Sequence, residues 1–267
     1  MLEIFHGVSI HSLAIKMLAT TIVVIMVTIA VPRVGAAIGG ALSGVPMVIG
    51  PGFFFMLNTH TPEFIADAAI YGLLAMCINQ LFLLTYIVIA YRASALQSIT
   101  GAIVIWFSIA YVLQPVSLNL LFVTTLFFIS VCVAYFSARR FCTLGNNIEG
   151  EENYYLLFLR AIMAGILVAV VTVSAHHIGA EWSGLLIAFP IGYTVLSITI
   201  HQQYGSASVI SVLHAAMLGA IGLMSFCFAL AITVHHFTPL YAFYIALATS
   251  FLSTLLLVFG RRYIARF

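Results

Sequence analysis

Residues 35–58, GAAIGGALSGVPMVIGPGFFFMLN, make an apolar stretch long enough to cross a bilayer as a helix. Pro46, Gly50, Pro51 and Gly52 sit inside it. Each proline removes a backbone donor, and its ring clashes with the carbonyl four residues back. In lipid, carbonyls freed in this way need partners from protein or from a water-lined cavity. A span broken here is expected to line a binding site rather than to act as a plain anchor.

The same element occurs twice. Residues 178–200, IGAEWSGLLIAFPIGYTVLSITI, form a second apolar span with Pro190 and Gly192 at its centre. An offset of 144 residues superposes the two without gaps: Gly35 falls on Gly179, Ala36 on Ala180, Gly40 on Gly184, Leu42 on Leu186 and Pro46 on Pro190. Upstream, Ile22 falls on Ile166, Val24 on Val168, Val27 on Val171 and Thr28 on Thr172. Lys16 falls on Arg160, and these are the two Lys or Arg residues inside the expected spans. A single offset that aligns a rare charge, a glycine series and a proline points to an internal repeat.

Hydrophobic residues are 64% of the chain and charged residues 6%. That balance describes a polytopic α-helical membrane protein. The continuous apolar runs are unlike the alternating strands of an outer-membrane barrel. The first residues, MLEIFHGVSIHSLAIKM, carry Glu3 and no leading basic cluster, so a cleaved signal peptide is not expected. Cys77, Cys132, Cys142 and Cys227 show neither pairing nor CxxC spacing, so neither a disulfide nor a zinc site is expected.

Nine spans are expected, near 13–32, 35–58, 63–91, 95–113, 117–137, 155–175, 178–200, 206–234 and 239–259. With that count Arg33, Arg92, Arg139, Arg140, Arg261, Arg262 and Arg266 all fall on one face, the cytoplasm. The opposite loops hold Glu63, Glu181, His60, His176, His177, His235 and His236. The N-terminus is then outside and the C-terminus inside. Residues 1–114 make a first four-helix unit, 115–144 a linking helix and cytoplasmic loop, and 145–267 a second unit. An odd number of spans separates each element from its twin. The fold expected is therefore all-α, with a four-plus-one-plus-four inverted-topology repeat.

Inverted repeats bring two broken helices together near mid-depth, and rocking one unit against the other gives alternating access. Pro46, Gly50, Pro51, Pro190 and Gly192 are the expected backbone of a substrate site. The glycine patterns 35-xxx-39 and 40-xxx-44 also suit close helix packing. Asn79 and Gln80, midway along the third span, either line the pathway or bond across helices. Lys16 and Arg160 either snorkel to the interface or serve as pseudo-symmetric charges. In the second case Lys16 could pair with Glu63 or Asp67, Arg160 could pair with Glu151 or Glu152, or both could attract an anionic substrate. His214 is a proton relay or, more simply, a helix-bundle histidine. The pairs His176–His177 and His235–His236 lack the spacing of metal ligands, so no metal and no cofactor are expected. No Walker-type or GxGxxG motif is present in the sequence, which excludes ATP-driven transport by this chain alone.

The segment SGLLIAFP, Ser183–Pro190, and its mate GGALSGVP, Gly39–Pro46, resemble a set of bacterial inner-membrane proteins that includes the small four-span GlpM-like proteins. The resemblance implies a bacterial inner-membrane protein. Duplication of a four-span unit is also similar in architecture to the drug/metabolite transporter superfamily. The function expected is secondary transport or export of a small metabolite, an anionic one if the two cations take part. The alternatives are a non-transporting assembly or envelope-biogenesis component, and an intramembrane enzyme. The expected partners are the lipid bilayer and a small-molecule substrate, with no nucleic acid; a homodimer stays open.

Overall fold

The computed structural model describes residues 10–33, 46–142 and 154–264. Among these the chain forms α1 (Ile10–Arg33), α2 (Ile49–Leu57), α3 (Pro62–Ala90), α4 (Ala95–Leu113), α5 (Leu120–Arg139), α6 (Tyr154–Ile187), α7 (Ile191–Ala216), a 3₁₀ turn (Met217–Gly219), α8 (Ala220–Thr233) and α9 (Pro239–Ile264). Among the described residues, five helical segments are long and apolar enough to cross a membrane: Pro62–Ala90, Ala95–Leu113, Leu120–Arg139, the run Leu157–Thr233, and Pro239–Leu257. The protein is an all-helical, membrane-compatible bundle.

Local chemistry sets the helix ends. α3 starts behind Thr61, whose hydroxyl accepts from the Phe64 amide, with Pro62 in the first turn and Glu63 beside it. α4 starts with a capping box between Ser94 and Gln97. α5 starts behind Asn119, whose side chain accepts from the Leu121 amide.

α3 is the centre of the bundle. It packs against α4, α5, α6, α7 and α8. Apolar and small residues surround its whole circumference, and from Ile65 to Ala90 it is buried along most of its length. α1 packs on α6, and α8 on α9. The outer faces of α4, α5 and α9 expose Leu96, Tyr111, Leu121, Phe136, Tyr241 and Leu256, which suits hydrocarbon.

Small residues let α3 and α6 touch backbone to backbone. A Cβ at Gly184 would fall onto the carbonyl group of Ala68, with the Ala68 carbonyl carbon 2.8 Å away. Gly72 lies against the same crossing, 3.6 Å from the Gly184 carbonyl oxygen by the same construction. The packing role expected of the first-half glycines is thus played by their second-half mate. Gly35, Gly39, Gly40 and Gly44 lie outside the described residues.

Several expected boundaries differ. The sixth and seventh spans join through Gly179, which takes φ 77°, so the two arms meet at a sharp kink rather than a loop. α7 bends likewise at Gly205, with φ 81°. Both angles are ones that glycine alone adopts readily. The eighth span, expected to be continuous over 206–234, is interrupted by the turn at Met217–Gly219. Pro51 does not break a helix. It is the third residue of α2, where its missing N–H has no helical acceptor to lose.

Candidate functional site

The site begins with two stretches that lie outside the helices. Residues 46–48 form a turn ahead of α2, and residues 188–190 separate α6 from α7. In the first, the Gly50 amide donates to the Pro46 carbonyl at 2.7 Å, so the turn closes directly into α2. In the second, the Phe189 amide donates to Leu186 at 3.0 Å and the Ile191 amide to Phe189 at 2.8 Å. Pro190 has no N–H to give. The Ala188 carbonyl, outside both helical ladders, needs a partner in an apolar interior.

Asn79 supplies it. Its Nδ2 donates to the Ala188 carbonyl at 3.1 Å, and its Oδ1 accepts from Trp106 Nε1 at 2.8 Å. Trp106 is fully buried and packs edge-on to Phe189, with ring centroids 4.9 Å apart. One amide therefore links α3, α4 and the break before α7. Gln80, next along α3 and about 100° around it, reaches the other interruption. Its Nε2 donates to the Met217 carbonyl at 3.3 Å, in the 3₁₀ turn. Gln80 is 0% exposed, and its Oε1 is buried without a partner. Further along the same helix, the Tyr86 hydroxyl donates to the Ser197 carbonyl at 3.1 Å and lies 3.1 Å from His201 Nδ1. Asn79 and Gln80 thus contact the backbone of the second half at irregular points, and Tyr86 contacts it within the helix α7.

The two broken elements also meet. A Cβ on Gly52, in α2, would collide with the end of the Ile187 side chain, the last residue of α6. Phe53 beside it is fully buried and packs against Phe226 of α8, with ring centroids 6.0 Å apart.

The remaining expected residues are placed as follows. Pro46 is buried in its turn, and Gly50 is buried in the first turn of α2 with the Pro46 ring 3.8 Å from where its Cβ would be. Pro190 caps α7. Gly192 does not face the interior: it is exposed, and an added Cβ would meet nothing within 4 Å. Lys16 makes no ion pair with Glu63 or Asp67. Its Nζ instead stands 5.8 Å from the centroid of the Phe55 ring, while both carboxylates lie on exposed faces of α3. Arg160 is a residue of α6, and its side chain, like Glu151 and Glu152, lies outside the described residues.

At the end of the bundle near Lys16, the His60 ring is stacked between Phe64 and His176, with centroid distances of 4.2 and 4.1 Å. Its Nδ1 lies 2.8 Å from the Thr59 hydroxyl, and its Nε2 is buried without a partner. Burial lowers the His60 pKa, and the neighbouring His176 lowers it further. His214 is stacked on Tyr135 at 4.2 Å, with its Nε2 3.2 Å from the Tyr135 carbonyl.

Trp106 and the carbonyls of Ala188 and Met217 are the site groups that the sequence did not single out. A lone tryptophan in an apolar run gives no periodic signal, and a backbone carbonyl has no side chain to flag it. Comparison of the chain with protein-family models, with curated proteins and with solved structures finds no match.

Proposed function

We propose that the protein is a secondary transporter of a small polar solute, built as a four-plus-one-plus-four inverted repeat that works by alternating access. The observation that carries the proposal is the interrupted span at 188–190, its free carbonyl held by a mid-span amide of the other half. Discontinuous helices meeting polar side chains at mid-depth are how such carriers build a solute site in an apolar bundle.

The element boundaries support the duplication. α1 and α6, which carry Lys16 and Arg160, occupy the same place in the two units at an offset of 144 residues. The same offset relates the turn at Pro46 to that at Pro190, the N-cap Thr61 to the kink at Gly205, and Ala95 at the start of α4 to Pro239 at the start of α9. Division of α6 at Gly179 and α7 at Gly205 is compatible with nine traverses, the count that would put the arginines on one face.

A two-fold relation also accounts for the α1–α6 contact. Thr21 and Gly165, one offset apart, face each other, and a Cβ at Gly165 would meet the Thr21 hydroxyl. That hydroxyl reaches the carbonyls of Met17 at 2.8 Å and Ala161 at 3.2 Å, themselves one offset apart. A residue that touches its own twin lies on the symmetry axis, so α1 and α6 would form a pivot between the units.

The test is solute flux. Purified protein in proteoliposomes is offered radiolabelled amino acids, amines, sugars, polyols and carboxylates. Saturable uptake of at least one class, abolished by Asn79→Leu, is expected. Uptake no faster than into empty liposomes across the whole panel would overturn the proposal.

A further inference from the structure

The second interruption, at Met217–Gly219, carries an unfilled group. In Gln80 the bond from Nε2 to the Met217 carbonyl fixes which way the amide points, because the flipped amide would set oxygen against oxygen. The end left over is therefore the acceptor Oε1, fully buried and unpartnered. Its neighbour Asn79 has both ends satisfied. The central helix thus presents one amide that is structural and one that is half used, beside backbone in a tight 3₁₀ turn rather than an α-helical ladder.

What fills such a position must bring a hydrogen-bond donor. A carboxylate, with no donor of its own, would set its lone pairs against both Oε1 and the Met217 carbonyl. The described cationic side chains do not offset this. Arg92, Arg139 and Arg140 flank helix ends, and Lys16 lies against Phe55 near the start of α1.

We propose that Gln80 Oε1 receives a donor group of the transported solute, so that the substrates are amines or polyols rather than anions without donors. The inference rests on the transport reading above and narrows it. It assigns Gln80 as a solute-binding residue and Asn79 as the residue that holds the adjacent break.

Trp106, bonded to Asn79, is the natural reporter. Trp182→Phe leaves it as the single tryptophan of the chain. In nanodiscs, putrescine, ethanolamine and glycerol are titrated against its emission, with acetate, nitrate and thiocyanate, anions that have no donor, as the opposing set. The same solutes are then offered to proteoliposomes.

At least one of the donors is expected to shift the emission saturably and to cross, and the anions to do neither. Gln80→Met should raise the half-saturating concentration at least tenfold. Gln80→Glu, whose protonated carboxyl can still donate to Met217 and accept at its other oxygen, should retain binding and favour the amines. Circular dichroism and elution volume establish that each variant is folded. If anions cross, or donors bind Gln80→Met as tightly as the parent, the substrate class falls while transport stands. If no solute of either set binds or crosses, the donor site falls, and uptake of the remaining classes decides the transport reading separately.

Discussion

Asn79 donates to the carbonyl of Ala188 at 3.1 Å across 109 residues of chain, and its own oxygen is held by Trp106 at 2.8 Å. The bond ties the centre of α3 to the point where Pro190 ends a helix. Asn79→Leu would keep the volume but strand two buried polar groups, the Ala188 carbonyl and the Trp106 N–H. Each stranded group costs about 1–3 kcal/mol. Helix-to-helix bonds in membranes measure lower, about 0.6 kcal/mol on average. A loss of about 1–3 kcal/mol in all is therefore expected, read by thermal or denaturant unfolding in detergent. Trp106→Phe strands only the acceptor side of Asn79 and should cost less. The double variant should lose less than the sum, because the two side chains share one bond.

Gly184 and Gly192 make a contrasting pair in neighbouring elements. Gly184→Ala drives a methyl into the backbone of Ala68, which no rotamer change can relieve. Overpacking of this kind costs about 1–3 kcal/mol, and a backbone neighbour puts it at the upper end. Gly192→Ala meets open space in the first turn of α7, so the better helix former should be neutral or stabilise by up to about 1 kcal/mol. Melting temperatures of the two variants in the same detergent should move in opposite directions or differ by several degrees. Equal effects would place the α3–α6 contact elsewhere.

What the sequence carried was largely one-dimensional. The apolar runs, Thr61–Pro62, Ser94 with Gln97, and Asn119 give the starts of α3, α4 and α5 to within a few residues, because capping depends on side chains three or fewer positions apart. Pro190 marks a break because the ring cannot sit in a helix. Pro51 misled for a related reason: whether a proline breaks or begins a helix depends on where the previous one ended. The kinks at Gly179 and Gly205 fall at or beside the gaps 175–178 and 200–206 between expected spans, where the sequence suggested loops. That a single positive-φ glycine would turn the chain with helix continuing on both sides was not legible. Lys16 was matched to Glu63 and Asp67 on depth alone. Its placement over Phe55 depends on how α1 rotates about its axis, and its near-uniform apolar surface does not encode that. The Asn79 and Gln80 pair was visible as two amides in mid-span, but their acceptors are backbone carbonyls more than 100 residues away.

His60 makes stability depend on pH. Its pKa in the fold lies below the ordinary 6.5, first through burial and then through His176, with Lys16 adding a smaller push the same way. The groups around it are Phe64 of α3, Thr59 of its own turn, His176 of α6 and Lys16 of α1. The unfolded chain therefore takes up the proton first as pH falls. Stability from this group is complete above about pH 6.5 and is lost as pH drops through the depressed folded value. Melting temperature should fall between pH 7.5 and pH 5, and the fall should shrink in His60→Gln. A pH profile identical in the variant would assign the effect to other groups.

The inverted repeat makes a geometric demand on two positions one offset apart. His60 lies between α2 and α3, and Tyr204 lies beside the kink at Gly205, on an exposed stretch of α7. If the second unit is the first turned upside down, these two positions emerge on opposite sides of the membrane. In a background with Cys77, Cys132, Cys142 and Cys227 replaced, His60→Cys should react with a membrane-impermeant maleimide added outside intact cells. Tyr204→Cys should react only in inside-out vesicles. The orientation expected from the arginines would put the ends of α3 and α5 that carry Arg92, Arg139 and Arg140 in the cytoplasm. Labelling of both positions from the same side would leave the matched positions Pro46 and Pro190, Ala95 and Pro239, as a parallel duplication. Carriers are also built from parallel repeats, so that result would overturn the inverted topology and its proposed pivot at α1 and α6, while flux would still decide transport.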